Sequence, residues 1–289
     1  MSNICITGAS GFLGSNLNKF IKKKKNFKIF PVSVNTKSKK KFFNLNKKLD
    51  RKKLFLFLLK KKINIFIHFS WQGIHDPTNV IYLKKNMIDF KNLINICNKA
   101  KIEKFISIGS IDEYEKKGKL FENSETTKSR KNYYAIGKIK SLKIISKKFN
   151  SKYVHLRIPN VYGLKKNNNY LLNKLFILNK KRSKYLLKNL NQQRVYIFID
   201  DLSKAIFNVI KNDFHGVINI GSGKSISVKS FAKAFLNILN KKNSNIKLHE
   251  GKKFKNFHFS SKKIKLKNFR IDLEENFKKI IKLKKALKK

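Results

Sequence analysis

The chain has 289 residues, 69 of them basic against 16 acidic, for a formal net charge of +53. That length holds one large or two interleaved domains with a full core, and it carries no apolar run near the ~20 residues that span a bilayer. Sixty-three of the basic residues are lysine and six arginine, whereas phosphate and base recognition draws on the arginine fork, so specific nucleic-acid binding is not expected.

The joint abundance of Lys, Asn, Ile and Phe fits an A/T-rich coding bias, which makes any single lysine uninformative. The charge still attracts acidic partners and anionic substrates at low salt. The longest apolar run, Leu54 to Leu59, excludes membrane insertion, and no charged and apolar leader opens the sequence, so a cytoplasmic protein is expected. Cys5 and Cys97 read as reduced core residues. The histidines lack metal-ligand spacing, so no metal is expected.

Taken in chain order, Ile4-Cys5-Ile6 runs into Thr7-Gly8-Ala9-Ser10-Gly11-Phe12-Leu13-Gly14 and then a helical pattern of Leu13, Leu17, Phe20 and Ile21. Strand, glycine turn and helix bring backbone N–H groups and a helix N-terminus onto a pyrophosphate. Strand-like runs at about 3–7, 28–34, 63–69, 104–109 and 152–158 alternate with helical patterns at about 13–24, 79–99 and 134–149. The alternation predicts an α/β fold, a doubly wound parallel sheet with helices on both faces. Segment 38–62 reads as a loop followed by a short buried helix.

Beyond Gly163 a polar loop, Lys165 to Asn169, leads to a smaller α/β lobe, and the chain returns to the main core with a strand at Val195 to Ile199 and a helix at Leu202 to Ile210. The expected division is a Rossmann domain over 1–162 with 195–221, and a substrate lobe over 163–194 and 222–289. Asp200 and Asp201 read as caps of the helix that follows. Asp272 with Glu275 resembles a capping box for a last helix bearing Leu273, Phe277, Ile280, Ile281 and Leu287 near one face.

Tyr134 and Lys138 are four residues apart and share one helix face. A tyrosine titrating near ~10 is a poor base at neutral pH, and a neighbouring ammonium and an oxidised nicotinamide both favour its phenolate. Tyr133 has Gly137 four residues on and lacks such a partner. Ser110 closes the run Phe105-Ile106-Ser107-Ile108-Gly109, where a strand end delivers a hydroxyl to the crevice of an open parallel sheet. Ser107 is the alternative, a strand serine facing core or cofactor.

The glycine spacing G-x-x-G-x-x-G, Tyr134-x-x-x-Lys138 and three further landmarks make the chain resemble the extended short-chain dehydrogenase/reductases, in the NAD-dependent epimerase/dehydratase family. The landmarks are Arg157-Ile158-Pro159-Asn160-Val161-Tyr162-Gly163, Gln193-Arg194 before Ile197 to Asp201, and Asn219-Ile220-Gly221-Ser222-Gly223. The resemblance implies a nucleotide-diphosphate sugar as substrate and Ser110, Tyr134 and Lys138 as the catalytic set, with Lys138 also on the nicotinamide ribose. It implies cofactor contacts at Gly8, Ser10, Gly11, Phe12, Leu13, Gly14, Asn35, Phe69 and Ser70 as well as Tyr134 and Lys138. Asn160 and Arg194 are the implied substrate contacts, Arg194 at the diphosphate. Asn86 is implied to support the catalytic strand.

His68 reads as a satisfied core histidine, and Arg157 as equally a strand-end arginine tied to a carboxylate, so neither is placed in the site. Dehydratases of the family carry Asp-Glu directly after their Ser/Thr. Here Ile111 follows Ser110 and cannot protonate a leaving hydroxyl, so 4-keto-sugar reduction or epimerisation is expected instead. An NAD-preferring site has an acid about ~20 residues past the glycines; Asn35 followed by Lys37, Lys39 and Lys40 favours NADP(H) over NAD(H). The alternative is a non-catalytic nucleotide-sensing or RNA-binding member of the same fold. The sequence leaves homodimer formation open.

Overall fold

The structure, a computed structural model, describes residues 1–34, 41–164, 171–178, 185–188, 190–239, 246–249, 251–252, 254–261, 263–264 and 272–286. Two compact units share the chain: residues 1–115, 122–158 and 203–220 form the first, and 116–121, 159–202 and 221–289 the second. The expected boundaries differ at four places, one of them Gly221, which opens the last stretch of the second unit. Residues 116–121, 159–162 and 195–202 all belong to the second unit, and the return to the first begins at Ser203.

In the first unit, strand β1 (Ser2–Thr7) buries Ile4, Cys5 and Ile6 completely. Successive strand residues point to opposite faces, so burial of three in a row requires cover on both. After β1 come α1 (Phe12–Ile21), β2 (Phe27–Val34), β3 (Lys41–Phe43), α2 (Lys48–Lys60), β4 (Ile65–His68), α3 (Val80–Lys99) and β5 (Lys104–Ser110). Cys5, Phe66 and Phe105 meet Leu54 and Leu58 of α2 and Phe90, Leu93 and Cys97 of α3 in one cluster. Strand alternation turns Ile4, Ile6, Ile67 and Ile106, all fully buried or nearly so, to the other face.

The remaining elements of this unit, α4 (Tyr133–Lys148), β7 (Lys152–Ile158) and β12 (Gly216–Asn219), complete a seven-stranded sheet of order β12-β7-β5-β4-β1-β2-β3. Every pairing in it is parallel. The order reverses between β1 and β4, and the crevice beyond the strand ends at such a reversal is where open α/β sheets bind ligands.

Segment 38–62 departs from expectation. Residues 41–43 form the edge strand β3, and α2 is a 13-residue helix that buries Leu54 and Leu58 but leaves Leu56 51% and Leu59 46% exposed. The leucines of this apolar run therefore wrap around the helix and do not lie on one buried side. Asn35 lies outside the described residues, as do Lys37, Lys39 and Lys40.

The second unit holds β6 (Lys119–Leu120), β8 (Asn160–Tyr162), α5 (Leu171–Leu178), β9 (Tyr185–Leu187), β10 (Gln193–Arg194) and β11 (Tyr196–Phe198). Helix α6 (Ile199–Lys211) follows and passes into the first unit at Ser203. Then come β13 (Gly223–Lys224), β14 (Ile226–Ser227), α7 (Val228–Ile238), β15 (Ile246–Leu248), β16 (His258–Phe259) and α8 (Leu273–Ala286). Strand β11 pairs with β8, so the strand expected at Val195 to Ile199 does not join the main sheet. Asp200 and Asp201 sit within the first turn of α6, whose start at Ile199 places them inside the helix; there they favour its positive end without being its N-cap. At the last helix Asp272 Oδ1 accepts the Glu275 N–H at 2.9 Å, the cap read from the sequence.

Tyr162, Phe231 and Phe277 pack edge to face in this unit, with centroids 5.1 to 5.7 Å apart. They form an aromatic centre joining β8, α7 and α8.

Candidate active site

Gly8 adopts φ +65°, and a Cβ there would lie 2.8 Å from the Ser70 nitrogen and 2.9 Å from the Phe69 carbonyl carbon. Gly14 is fixed for a different reason: its Cβ would meet the Gly8 oxygen at 2.4 Å. The β1 turn thus lets α1 and the end of β4 approach the same backbone closely. Gly11 is the N-cap of α1, makes no side-chain cap, and donates its N–H to the Gly8 oxygen at 3.0 Å.

A cavity of about 230 Å³ opens beside this turn, lined by Gly8, Ser10, Gly11, Phe69, Ser70 and Trp71 among others. Bare backbone, a helix N-terminus without a side-chain cap and a cavity together fit the pyrophosphate of a dinucleotide. Of the cofactor contacts expected here, Gly8, Ser10, Gly11, Phe69 and Ser70 line the cavity, whereas Phe12, Leu13 and Gly14 form the first turn of α1. His68 is buried, with its Nδ1 2.8 Å from Thr7 Oγ1, and burial, then the Lys138 charge, lower its pKa to about 3. It is the satisfied core histidine expected.

Ser110, Tyr134 and Lys138 come together at the C-terminal end of β5. Tyr134 lies in the first turn of α4, with its hydroxyl near the Ser110 side chain. The Ser110 hydroxyl also accepts the Asp112 N–H at 3.1 Å and donates to Asp112 Oδ2 at 3.3 Å. Lys138 is buried, donates from Nζ to the Ile108 carbonyl at 2.8 Å, and stands 5.5 Å from the Tyr134 ring centroid. Burial, opposed by the Glu113 charge, brings Lys138 down to about 7.

Tyr134 behaves differently from the expectation of a lowered value. Burial above all, with the Asp112 charge next, holds its phenol well above the ordinary tyrosine range, and the nearby Ser110 side chain only partly opposes them. The tyrosine therefore keeps its proton at neutral pH. Ser107 faces the core, 2.8 Å from His155 Nδ1.

Two further expectations are resolved by the contacts. Arg157 donates from Nε to Glu113 Oε2 at 2.8 Å, the arginine tied to a carboxylate. Asn86 does not reach the catalytic strand through its amide; it accepts the Gln72 N–H and donates to the Gln72 carbonyl, each at 3.0 Å, and so fixes the loop after β4.

Asn160 and Arg194 belong to the second unit. The Asn160 amide donates to the Val195 carbonyl at 3.2 Å and ties β8 to β11. Arg194 is exposed, with Nη2 3.0 Å from the Gln192 side-chain oxygen.

The NAD dependent epimerase/dehydratase family model matches residues 4–221. The chain belongs to that family. It is 29% identical over 258 residues to an ADP-L-glycero-D-manno-heptose-6-epimerase of Brachyspira hyodysenteriae, covering 80% of this chain and 79% of that one. It is 28% identical over 273 residues to a dTDP-D-glucose 4,6-dehydratase of Dictyostelium discoideum, covering 82% of this chain but 62% of the longer relative. Among solved structures, the UDP-N-acetylglucosamine 4-epimerase of Methanobrevibacter ruminantium M1 superimposes with a TM-score of 0.78 at 19% identity, over 99% of both chains.

Within this epimerase/dehydratase member, the structure adds Trp71 to the residues read from the sequence. Its ring lies 3.6 Å from Lys138 Nζ and edge-on to Tyr134, and it also lines the cavity beside the glycine turn. A lone tryptophan after a strand gives no sequence signal of that contact. Gly137 records it indirectly, because a Cβ there would lie 2.8 Å from Trp71 Cζ2.

Helix propensity alone makes Gly137→Ala stabilising by about 1 kcal/mol. The clash reverses the sign, and we expect a net loss of about 1–3 kcal/mol by chemical denaturation, the usual cost of overpacking. A more stable variant contradicts this placement of Trp71.

Proposed function

We propose that the protein is an NAD(P)-dependent enzyme that reduces a 4-keto sugar or epimerises a hydroxyl-bearing carbon on a nucleotide-diphosphate sugar. The observation that carries this reading is the gathering of Ser110 and Lys138 around the Tyr134 side chain. The sugar nucleotides in the names of its relatives supply the substrate class. Bound nicotinamide supplies or takes a hydride. Tyr134, protonated at neutral pH, gives its proton to the sugar oxygen in the reductive direction, while Ser110 hydrogen-bonds that oxygen; in the oxidative direction the positive charge of an oxidised nicotinamide would favour the phenolate that takes the hydroxyl proton. Lys138, brought down to about 7 by burial, carries part of a positive charge beside the tyrosine at neutral pH. Asn160 and Arg194 are the proposed substrate contacts, Arg194 offering its guanidinium fork to the diphosphate.

The panel that tests this reading is UDP-N-acetylglucosamine, dTDP-D-glucose, its 4-keto-6-deoxy derivative and an ADP-heptose, each offered with NAD and with NADPH. Conversion of one of them is expected, and conversion of none removes the reading. Cofactor that co-purifies with the protein separates its two forms: retained NAD(H) marks the epimerase and an empty site the reductase.

NADP(H) is the preferred cofactor in this proposal, on the ground that Asn35 stands where an NAD site carries an acid. Asn35→Asp places a carboxylate where the 2′-phosphate of NADP would be repelled and offers NAD two hydroxyl hydrogen bonds, so preference moves towards NAD. Titration of both reduced cofactors into parent and variant checks it. A parent that binds NADH more tightly, or an unchanged ratio in the variant, contradicts the assignment.

A further inference from the structure

Glu113 is fully buried in the turn after β5, where an ionised carboxylate must be paired and hydrogen-bonded to persist. Its Oε1 accepts the Ser110 backbone N–H at 2.7 Å and lies 3.0 Å from His155 Nε2, and its Oε2 accepts the Arg157 Nε–H at 2.8 Å. Burial alone would raise its pKa, but His155 and then Arg157 outweigh burial and hold it at about 2. Strand β5 itself makes room for this group. A Cβ on Gly109 would lie 2.4 Å from Glu113 Oε1 and 2.4 Å from His155 Nε2.

One end of the network is anchored in β7, through His155 and Arg157, and His155 is itself held by Ser107. The other end is the backbone of Ser110, the residue whose hydroxyl lies near Tyr134. An ion pair that served only to join β5 to β7 would not need the Ser110 amide as a third donor. Glu113 takes it by closing a reciprocal cap around the turn, with Ser110 Oγ on the Asp112 N–H and the Glu113 carboxylate on the Ser110 N–H.

We propose that Glu113 is a positioning residue: clamped by His155 and Arg157, its carboxylate holds the Ser110 backbone so that the Ser110 hydroxyl stays against Tyr134. This rests on the roles proposed above for Ser110 and Tyr134. Glu113→Gln keeps the shape but turns an amide N–H against a donor that the carboxylate had satisfied. Displacement of a reacting group by about 1 Å costs up to ~10² in rate, so turnover of the best-converted panel sugar nucleotide should fall roughly 10- to 100-fold, with KM within about threefold of the parent.

A double-mutant cycle separates positioning from general damage. In a Ser110→Ala background the hydroxyl is gone, and Glu113→Gln should then cost less than about threefold in turnover. Because Glu113→Gln leaves Arg157 buried without its partner and can unfold the protein, Glu113→Met with Arg157→Met is the companion variant. Apolar side chains of similar length commonly replace a buried ion pair without loss of stability. That variant should fold, yet it still lacks the acceptor for the Ser110 N–H, and its turnover should stay at least about tenfold down.

Parent-like turnover in either folded variant, or full additivity with Ser110→Ala, overturns the inference. If Ser110→Ala itself turns over like the parent, or no panel member is converted, the role of Ser110 falls and this inference falls with it. If Ser110→Ala is impaired while Glu113→Gln is not, only the role of Glu113 is lost.

Discussion

Replacing Tyr134 with phenylalanine is expected to lower turnover by roughly 10²–10⁴, the scale of a lost general acid or base. The ring should stay in place, because its edge-on packing with Trp71 at 6.3 Å does not involve the hydroxyl. Ser110 keeps Asp112 as a hydrogen-bond partner, so the stability change should stay within about 1 kcal/mol, the net worth of one hydrogen bond. Cofactor binding should be close to that of the parent. Steady-state kinetics with a fluorescence titration of the reduced cofactor separate these effects, and a variant turning over within about threefold of the parent contradicts the assignment.

The tyrosine was legible in the sequence because the i, i+4 spacing to Lys138 and the glycine turn are local patterns. The first strand, its turn and helix α1 were legible for the same reason. Strand β3 was not, since three residues among lysines carry too little apolar periodicity to separate an edge strand from a loop. The strand at Tyr196 to Phe198 was visible, but its partner, β8, was not, because register and pairing depend on contacts distant in sequence. Glu113 illustrates the same limit. Nothing local in the sequence marks it as buried, and only the convergence of Ser110, His155 and Arg157 on it explains its burial. The pKa of Tyr134 could not be read from Lys138 alone, since burial and Asp112 act in the opposite direction.

Gly8→Ala should have the largest effect on folding among the single substitutions considered. A side chain at φ +65° costs about 1–2 kcal/mol. The Cβ would also press on the Phe69–Ser70 backbone, which cannot rotate away as a side chain can, adding about 1–3 kcal/mol. Gly118 separates the two terms: it has φ +59° but open space where a Cβ would sit, so Gly118→Ala should show only the backbone cost. Denaturant melts of the two variants should place Gly8→Ala lower in stability, and its affinity for reduced cofactor should also fall because the turn lining the cavity must shift. Equal losses in the two variants contradict the close approach of β4 to the glycine turn.

The most direct measurement follows hydrogen itself. Sugar nucleotides of the panel, deuterated at every sugar carbon, are incubated with the protein and oxidised cofactor, the unlabelled 4-keto-6-deoxy derivative is incubated with NADPH deuterated at the transferable position, and the label is located by NMR. Hydride transfer with proton movement confined to Tyr134 predicts deuterium on the nicotinamide, returned to the same, inverted sugar carbon, or delivered from NADPH to C4 of the 4-keto sugar. Release of the label from a sugar carbon into water, as elimination would produce, or an untouched label across the whole panel, would contradict the account.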